Sequence, residues 1–143
     1  MKNIDWGQFK KGTMLVNVLA IIKDKKTGRI LIGRRENDPY IKNLTWSFPG
    51  GRPGYEDELE EYLKLAVKKK TGLDIKVNKV IFSKNYPEKR EFLAIYYLGE
   101  VLRGEEKAGG SFKELKWVEA DELEKYFTTS LHPVLKDILE DLN

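Results

Sequence analysis

WSFPGGRPGYEDELEEYLKLAVKKKTGL, residues 46–73, changes character halfway along. Its first part is broken by Pro49, Gly50, Gly51, Pro53 and Gly54, a density of breakers that belongs to a loop. From Glu56 onward, EDELEEYLKLAVKKKTG predicts a helix. Leu59, Tyr62, Leu63, Ala66 and Val67 recur at helical spacing and form one apolar stripe. Acids crowd the first turn and lysines the last, as the helix dipole favours. Gly72 stands where a left-handed C-cap residue belongs. Lys70 follows Ala66 by four residues and so falls in line with the stripe. A charge there breaks the local pattern, and such breaks mark functional positions.

Strands surround this unit. TMLVNVLAIIK (13–23) is rich in branched apolar residues, DKKTG turns, and GRILIGRR (28–35) returns by alternation. ENDPYIKN is a polar loop. After the helix, LDIKVNKVIFS (73–83) and EFLAIYYLGEV (91–101) read as strands joined by KNYPEKR. RGEEKAGGS is expected to be a flexible loop and FKELKWVEA a strand. ADELEKYF is a short amphipathic helix. HPVLKDILEDL is a terminal helix with Pro133 at its first position and His132 as its cap. The pattern is that of a mixed α/β (α+β) domain occupying 1–143 as one unit.

Composition narrows the chemistry. There is no cysteine, which excludes disulfides, zinc–thiolate sites and cysteine nucleophiles. A single histidine rules out a multi-histidine metal site. The net charge of +3 admits an anionic ligand without requiring a nucleic acid. The N-terminus lacks the apolar stretch of a signal peptide and no apolar run approaches a membrane span, so a cytoplasmic protein with no membrane partner is expected.

Residues 46–73 also resemble the Nudix box, G-x5-E-x7-R-E-U-x-E-E-x-G-U, where U is a bulky aliphatic residue. Gly51, Gly72 and Leu73 anchor an ungapped match, and Trp46, Pro49 and Gly50 supply the lead-in typical of the family. KWVEADELEKYF is similar to its usual close, so the resemblance covers nearly the whole chain. It implies the Nudix fold, a mixed β-sheet sandwiched between α-helices. It also implies cleavage of nucleoside diphosphates linked to another group, with box carboxylates holding Mg²⁺ or Mn²⁺.

The scaffold positions of the box agree and the chemical ones do not. Its first Glu falls on Asp57, its Arg on Leu65, the adjacent Glu on Ala66, and its paired Glu residues on Lys69 and Lys70. Positions 66, 69 and 70 share one helix surface. Two ammonium groups there repel a divalent cation. No cofactor is therefore expected, and Asp57 is at most a lone metal ligand. The expected protein binds a nucleotide or other diphosphate ligand with little or no standard hydrolysis. Lys69 and Lys70 either supply the metal's charge or are plain surface cations. Gly50, Gly51, Arg52, Arg34 and Arg35 flank the same cleft, and Tyr40, Trp46, Phe48 and Phe82 are candidates for base stacking, with Trp46 and Phe48 better suited to the core.

A divergent metal-dependent hydrolase is the alternative, using Asp57, Glu61 or Glu114 with Mg²⁺ or Mn²⁺. Glu114 also fits a plain outward strand position. An RNA-binding or assembly module is the third reading. Family members are often homodimers, so self-association is within expectation.

Overall fold

The computed structural model describes residues 13–36, 45–86, 89–127 and 131–142. In chain order the elements are β1 (Leu15–Ile22), β2 (Ile30–Arg34), β3 (Trp46–Ser47), β4 (Gly50–Gly51), α1 (Leu59–Thr71), β5 (Leu73–Asn85), β6 (Phe92–Gly104) and β7 (Glu114–Val118). A 3-10 turn at Ala120–Glu122 then leads into α2 (Leu123–Tyr126), and α3 (Pro133–Glu140) follows. The strands form a four-stranded sheet in the order β4-β1-β6-β5 and a three-stranded sheet in the order β3-β2-β7.

The four-stranded sheet is mixed. β1 runs parallel to β6, from Leu15 opposite Phe92 to Ile22 opposite Gly99. The β4 and β5 pairings are antiparallel. Side chains alternate along β1, so the two faces differ. Val18, Ala20 and Ile22 meet Leu63 and Val67 of α1, together with Leu73, Ile75 and Tyr97. Ile21, Ala94 and Tyr96 face the other way, onto Phe48, Ile30, Ile32, Leu123, Leu135 and Leu139. The sheet is thus enclosed by α1 on one side and by the second sheet with α2 and α3 on the other. The expected layering holds, with a second, smaller sheet added. Among the described residues, no helix is long and apolar enough to cross a membrane.

β3 and β4 carry no strand signal in the sequence. Two residues are too few to show a period, and they pair with distant partners: Ser47 with Gly33, and Gly50 with Leu19. Gly50 has a specific reason to be glycine. A Cβ there would come closer than 3.0 Å to the Val18 carbonyl oxygen and to the Leu19 Cα.

The box helix starts later than its sequence pattern suggests, at Leu59 rather than Glu56. Asp57 is the cause. Its carboxylate accepts the Gly54 N–H at 2.6 Å, and its own N–H donates to the Gly54 carbonyl, closing a turn ahead of the helix. Leu59 consequently stays exposed at the end of the stripe, while Leu63 and Val67 are buried. The C-terminal end is as expected: Gly72 has φ 77° and donates to the Lys68 carbonyl. Thr71 is buried but satisfied, donating to Val67 O at 2.7 Å and accepting from the Leu73 N–H.

The 105–111 segment differs from the flexible loop expected of it. It is bonded to the end of α1, with the Lys107 N–H donating to Thr71 O at 2.8 Å and the Gly109 N–H to Lys70 O at 3.0 Å. These are carbonyls that a helix leaves without intrahelical partners, so the loop caps the helix. The Trp117 indole N–H adds a bond to Glu106 at 2.6 Å.

One half-buried residue works against stability. Asn17 lies on β1, and its buried Nδ2 has no hydrogen-bond partner among the described residues. An orphaned buried donor costs about 1–3 kcal/mol. Asn17→Val, a β-branched residue suited to a strand, should therefore raise the melting temperature by roughly 3–6 °C in calorimetry.

Candidate functional site

The three lysines that end α1 have three different fates. Lys68 turns back, donating to Gly72 O at 3.3 Å and pairing with Asp74 at 3.4 Å. It is a helix-end cation of the ordinary kind. Lys69 is exposed, and its stem runs beside Gly110. Lys70 turns inward. Its amine donates to the Gly50 carbonyl of β4 and lies 5.5 Å from the centroid of the Phe112 ring. Phe112 is buried and packs against Gly33 on β2. One positive charge is thereby held where the box loop, the end of the box helix and the second sheet meet.

The glycine loop leads into this point from the other side. The Tyr62 hydroxyl lies close against Gly51. Burial, followed by the nearby Asp57 charge, pushes the Tyr62 phenol up from its usual range, so it stays a neutral hydroxyl. Arg52 extends over the opposite sheet face, with its guanidinium carbon 5.1 Å from the Phe92 ring centroid. Gly50, Gly51, Tyr62 and Lys70 thus form one group, and Arg52 leaves it for the opposite face. Phe112 is the member that the sequence does not announce. It arrives from 42 positions further along, and its only local sign is an apolar residue directly after Gly109-Gly110-Ser111.

The other candidates are committed elsewhere. Arg34 pairs with Glu114 at 3.0 Å and with Glu36 at 2.9 Å. These hydrogen bonds, Glu36's first, raise its pKa further. Arg34 and Glu114 are register partners across β2 and β7, so Glu114 is a strand-face residue rather than a mobile acid. Arg35 is half-buried beside Thr45, whose carbonyl accepts its backbone N–H at 2.6 Å. Glu61 is exposed and paired with Lys64 at 3.2 Å, one turn along the helix. Asp57 holds the turn before α1. Phe48 is buried and Trp46 packs beside it against the core, as expected. Tyr40 lies outside the described residues. His132 caps α3 as expected, its Nδ1 accepting the Val134 N–H at 3.1 Å.

The donor set does not suit a box-type divalent metal. Among the described residues, no three Asp, Glu or His side chains gather into a metal-holding group. The helix surface that would carry the ligands presents Ala66, Lys69 and Lys70. The arrangement suits an anion instead, because a half-buried ammonium is less screened by solvent than one on an open surface.

Comparison with known proteins gives a consistent picture. A family model described as NUDIX domain matches residues 13–142. An ADP-ribose pyrophosphatase of Methanocaldococcus jannaschii is 28% identical over 104 residues, 71% of this chain. The chain spans 60% of that relative's length. Among solved structures, the MutT protein from Methanosarcina mazei Go1 superposes with a TM-score of 0.73 at 22% identity, covering 92% of this chain and 94% of that one. The MutT NUDIX hydrolase from Burkholderia pseudomallei gives 0.70 at 19% identity, covering 92% and 99%. At these identities the structures speak for the fold alone. With Gly51, Gly72 and Leu73 in box register and the family model matched from 13 to 142, the chain belongs to the NUDIX domain family.

Proposed function

We propose that this chain binds a diphosphate-containing small molecule, a nucleotide in the first instance, with little or no hydrolysis, and that Lys70 supplies the positive charge a box metal would otherwise bring. The observation that carries this reading is the Lys70 ammonium on the Gly50 carbonyl. A cation at that point attracts a diphosphate without any metal. Among the described residues, the acids that a hydrolase would call on, Asp57, Glu61 and Glu114, are each tied to another group, which supports this reading.

The second reading is a divergent metal-dependent hydrolase. The name of the Methanocaldococcus relative favours it and makes ADP-ribose the first substrate to try.

Thermal-shift titration with inorganic pyrophosphate, with and without Mg²⁺, separates the two. A ligand bound only by the native state at a hundred times its Kd adds about 2.7 kcal/mol of apparent stability. The expected result is a pyrophosphate-induced rise in melting temperature of roughly 5–10 °C that is the same without Mg²⁺. Metal-dependent cleavage of ADP-ribose by the pure protein, lost on Asp57→Ala, would establish the second reading instead.

A further inference from the structure

A cavity of about 460 Å³ is bordered by the β1–β2 turn, by Leu73 at the start of β5 and by Trp117 of β7, a size within the range of small-molecule sites. We propose that it binds a small aromatic anion, and that this ligand is an effector that tightens diphosphate binding at Lys70. The effector role rests on the diphosphate-binding reading above, whereas the site itself does not.

One wall is apolar, made by Leu73, Val101 and Trp117. The half-buried Trp117 ring is oriented, because its indole N–H donates to Glu106 at 2.6 Å. The facing wall is the turn, which brings Lys23, Lys25 and Lys26. That turn is fixed from within: the Asp24 carboxylate accepts the Lys26 N–H and the Thr27 hydroxyl, both at 3.0 Å. Lys23 donates to the Leu142 carbonyl, Lys25 pairs with Glu100 at 2.9 Å, and Lys26 is exposed at the rim. Three cations against the carboxylates of Asp24 and Glu106 leave the lining net positive among the described residues. An aromatic face beside a positive rim suits a ring that carries a negative group.

The same wall leads to the Lys70 site. Gly104 and Glu106 line the cavity, and the next residue, Lys107, begins the contacts that cap α1. The Lys107 and Gly109 N–H groups hold the carbonyls of Thr71 and Lys70. The Gly109 carbonyl accepts the Phe112 N–H at 2.9 Å, and Phe112 is the ring beside the Lys70 amine. Gly72 permits this close docking, since a Cβ there would come closer than 3.0 Å to the Glu105 carbonyl oxygen. A ligand seated between Trp117 and the turn holds Glu106, and with it the loop that positions Lys70 and Phe112. It thereby removes part of the ordering cost of binding a diphosphate, which is positive coupling.

The test uses phenylacetate, phenylethanol and phenethylamine, which carry one ring with a negative, a neutral and a positive group. In the nitrogen-labelled full chain, the assigned Trp117 indole N–H resonance reads occupancy of the cavity. Phenylacetate should shift it saturably, phenylethanol should bind more weakly and phenethylamine most weakly. Lys26→Gln should weaken phenylacetate about 2- to 5-fold and leave the binding of pyrophosphate alone unchanged. In calorimetry, saturating phenylacetate should tighten inorganic pyrophosphate by about 5-fold or more and shift the Gly109 and Gly110 amide resonances.

If phenylacetate leaves the Trp117 resonance in place, the site is overturned. If phenylethanol or phenethylamine binds as tightly as phenylacetate, its preference for an anion is overturned. If phenylacetate binds and pyrophosphate affinity does not change, the effector role falls while the site and the diphosphate reading stand. If pyrophosphate binds neither with nor without phenylacetate, the diphosphate reading falls and the effector role with it, and the Trp117 resonance still decides the site.

Discussion

Lys70→Glu should weaken inorganic pyrophosphate binding by about 10- to 150-fold, the equivalent of a charge-assisted hydrogen bond worth about 1.5–3 kcal/mol. The substitution also reverses the charge, so the upper part of that range is expected. Lys69→Glu should cost much less, because Lys69 is solvent-exposed and its field is screened. Lys70→Met separates charge from packing. Its side chain fills much the same space over Phe112 but carries no charge, so it should lose most of the affinity while keeping near-native stability. Equal effects at 69 and 70 would mean that the lysines act as a diffuse surface charge, and the inward position of Lys70 would then be incidental to binding.

Gly50→Ala should destabilise the fold by about 3 kcal/mol and lower the melting temperature by roughly 6–12 °C. The added methyl would meet the Val18 carbonyl and the Leu19 Cα, which are backbone atoms of a central strand. Neither can rotate away as a side chain would. The accommodation open to the chain is to move β4 off β1, which breaks the Val18–Gly51 and Leu19–Gly50 pairing and carries the Gly50 carbonyl away from Lys70. Stability and pyrophosphate affinity should therefore fall together. Urea denaturation alongside calorimetry checks this, and an unchanged midpoint would show that β4 already sits loosely on the sheet.

The fold is legible in the sequence wherever structure follows local period. The stripe on α1, its Gly72 cap, the long strands and the proline start of α3 all stand there. What escapes depends on partners far away in the chain. β3 and β4 exist because β2 and β1 pair with them, and two residues show no alternation of their own. Asp57 looks like the first helical acid until its bond to Gly54 places it in the preceding turn.

The site divides in the same way. The break in the stripe at Lys70 follows from helical spacing alone, and it places the charge on the inward side of α1. Gly50 and Phe112, which Lys70 meets there, lie 20 residues behind it and 42 ahead, and no spacing rule connects them. Arg34 and Glu114 each resemble a ligand residue when read singly. Only the β2–β7 register shows that they neutralise one another.

The loop that caps α1 has a consequence for how this site can change. Gly109 and Lys107 hold the carbonyls of Lys70 and Thr71, so Lys70, one of the positions where the box pattern has an acid, is fixed to the β6–β7 connection as well as to its own helix. A glutamate at 70 would lose the Gly50 carbonyl as a partner and set an anion against the electron-rich face of Phe112. A glutamate at 69 or 66 alone would bring no metal, since one carboxylate makes a poor site. Single steps toward a carboxylate box are therefore disfavoured one by one. A carboxylate box at this helix end would need acids at 66, 69 and 70 together, positions close enough to couple.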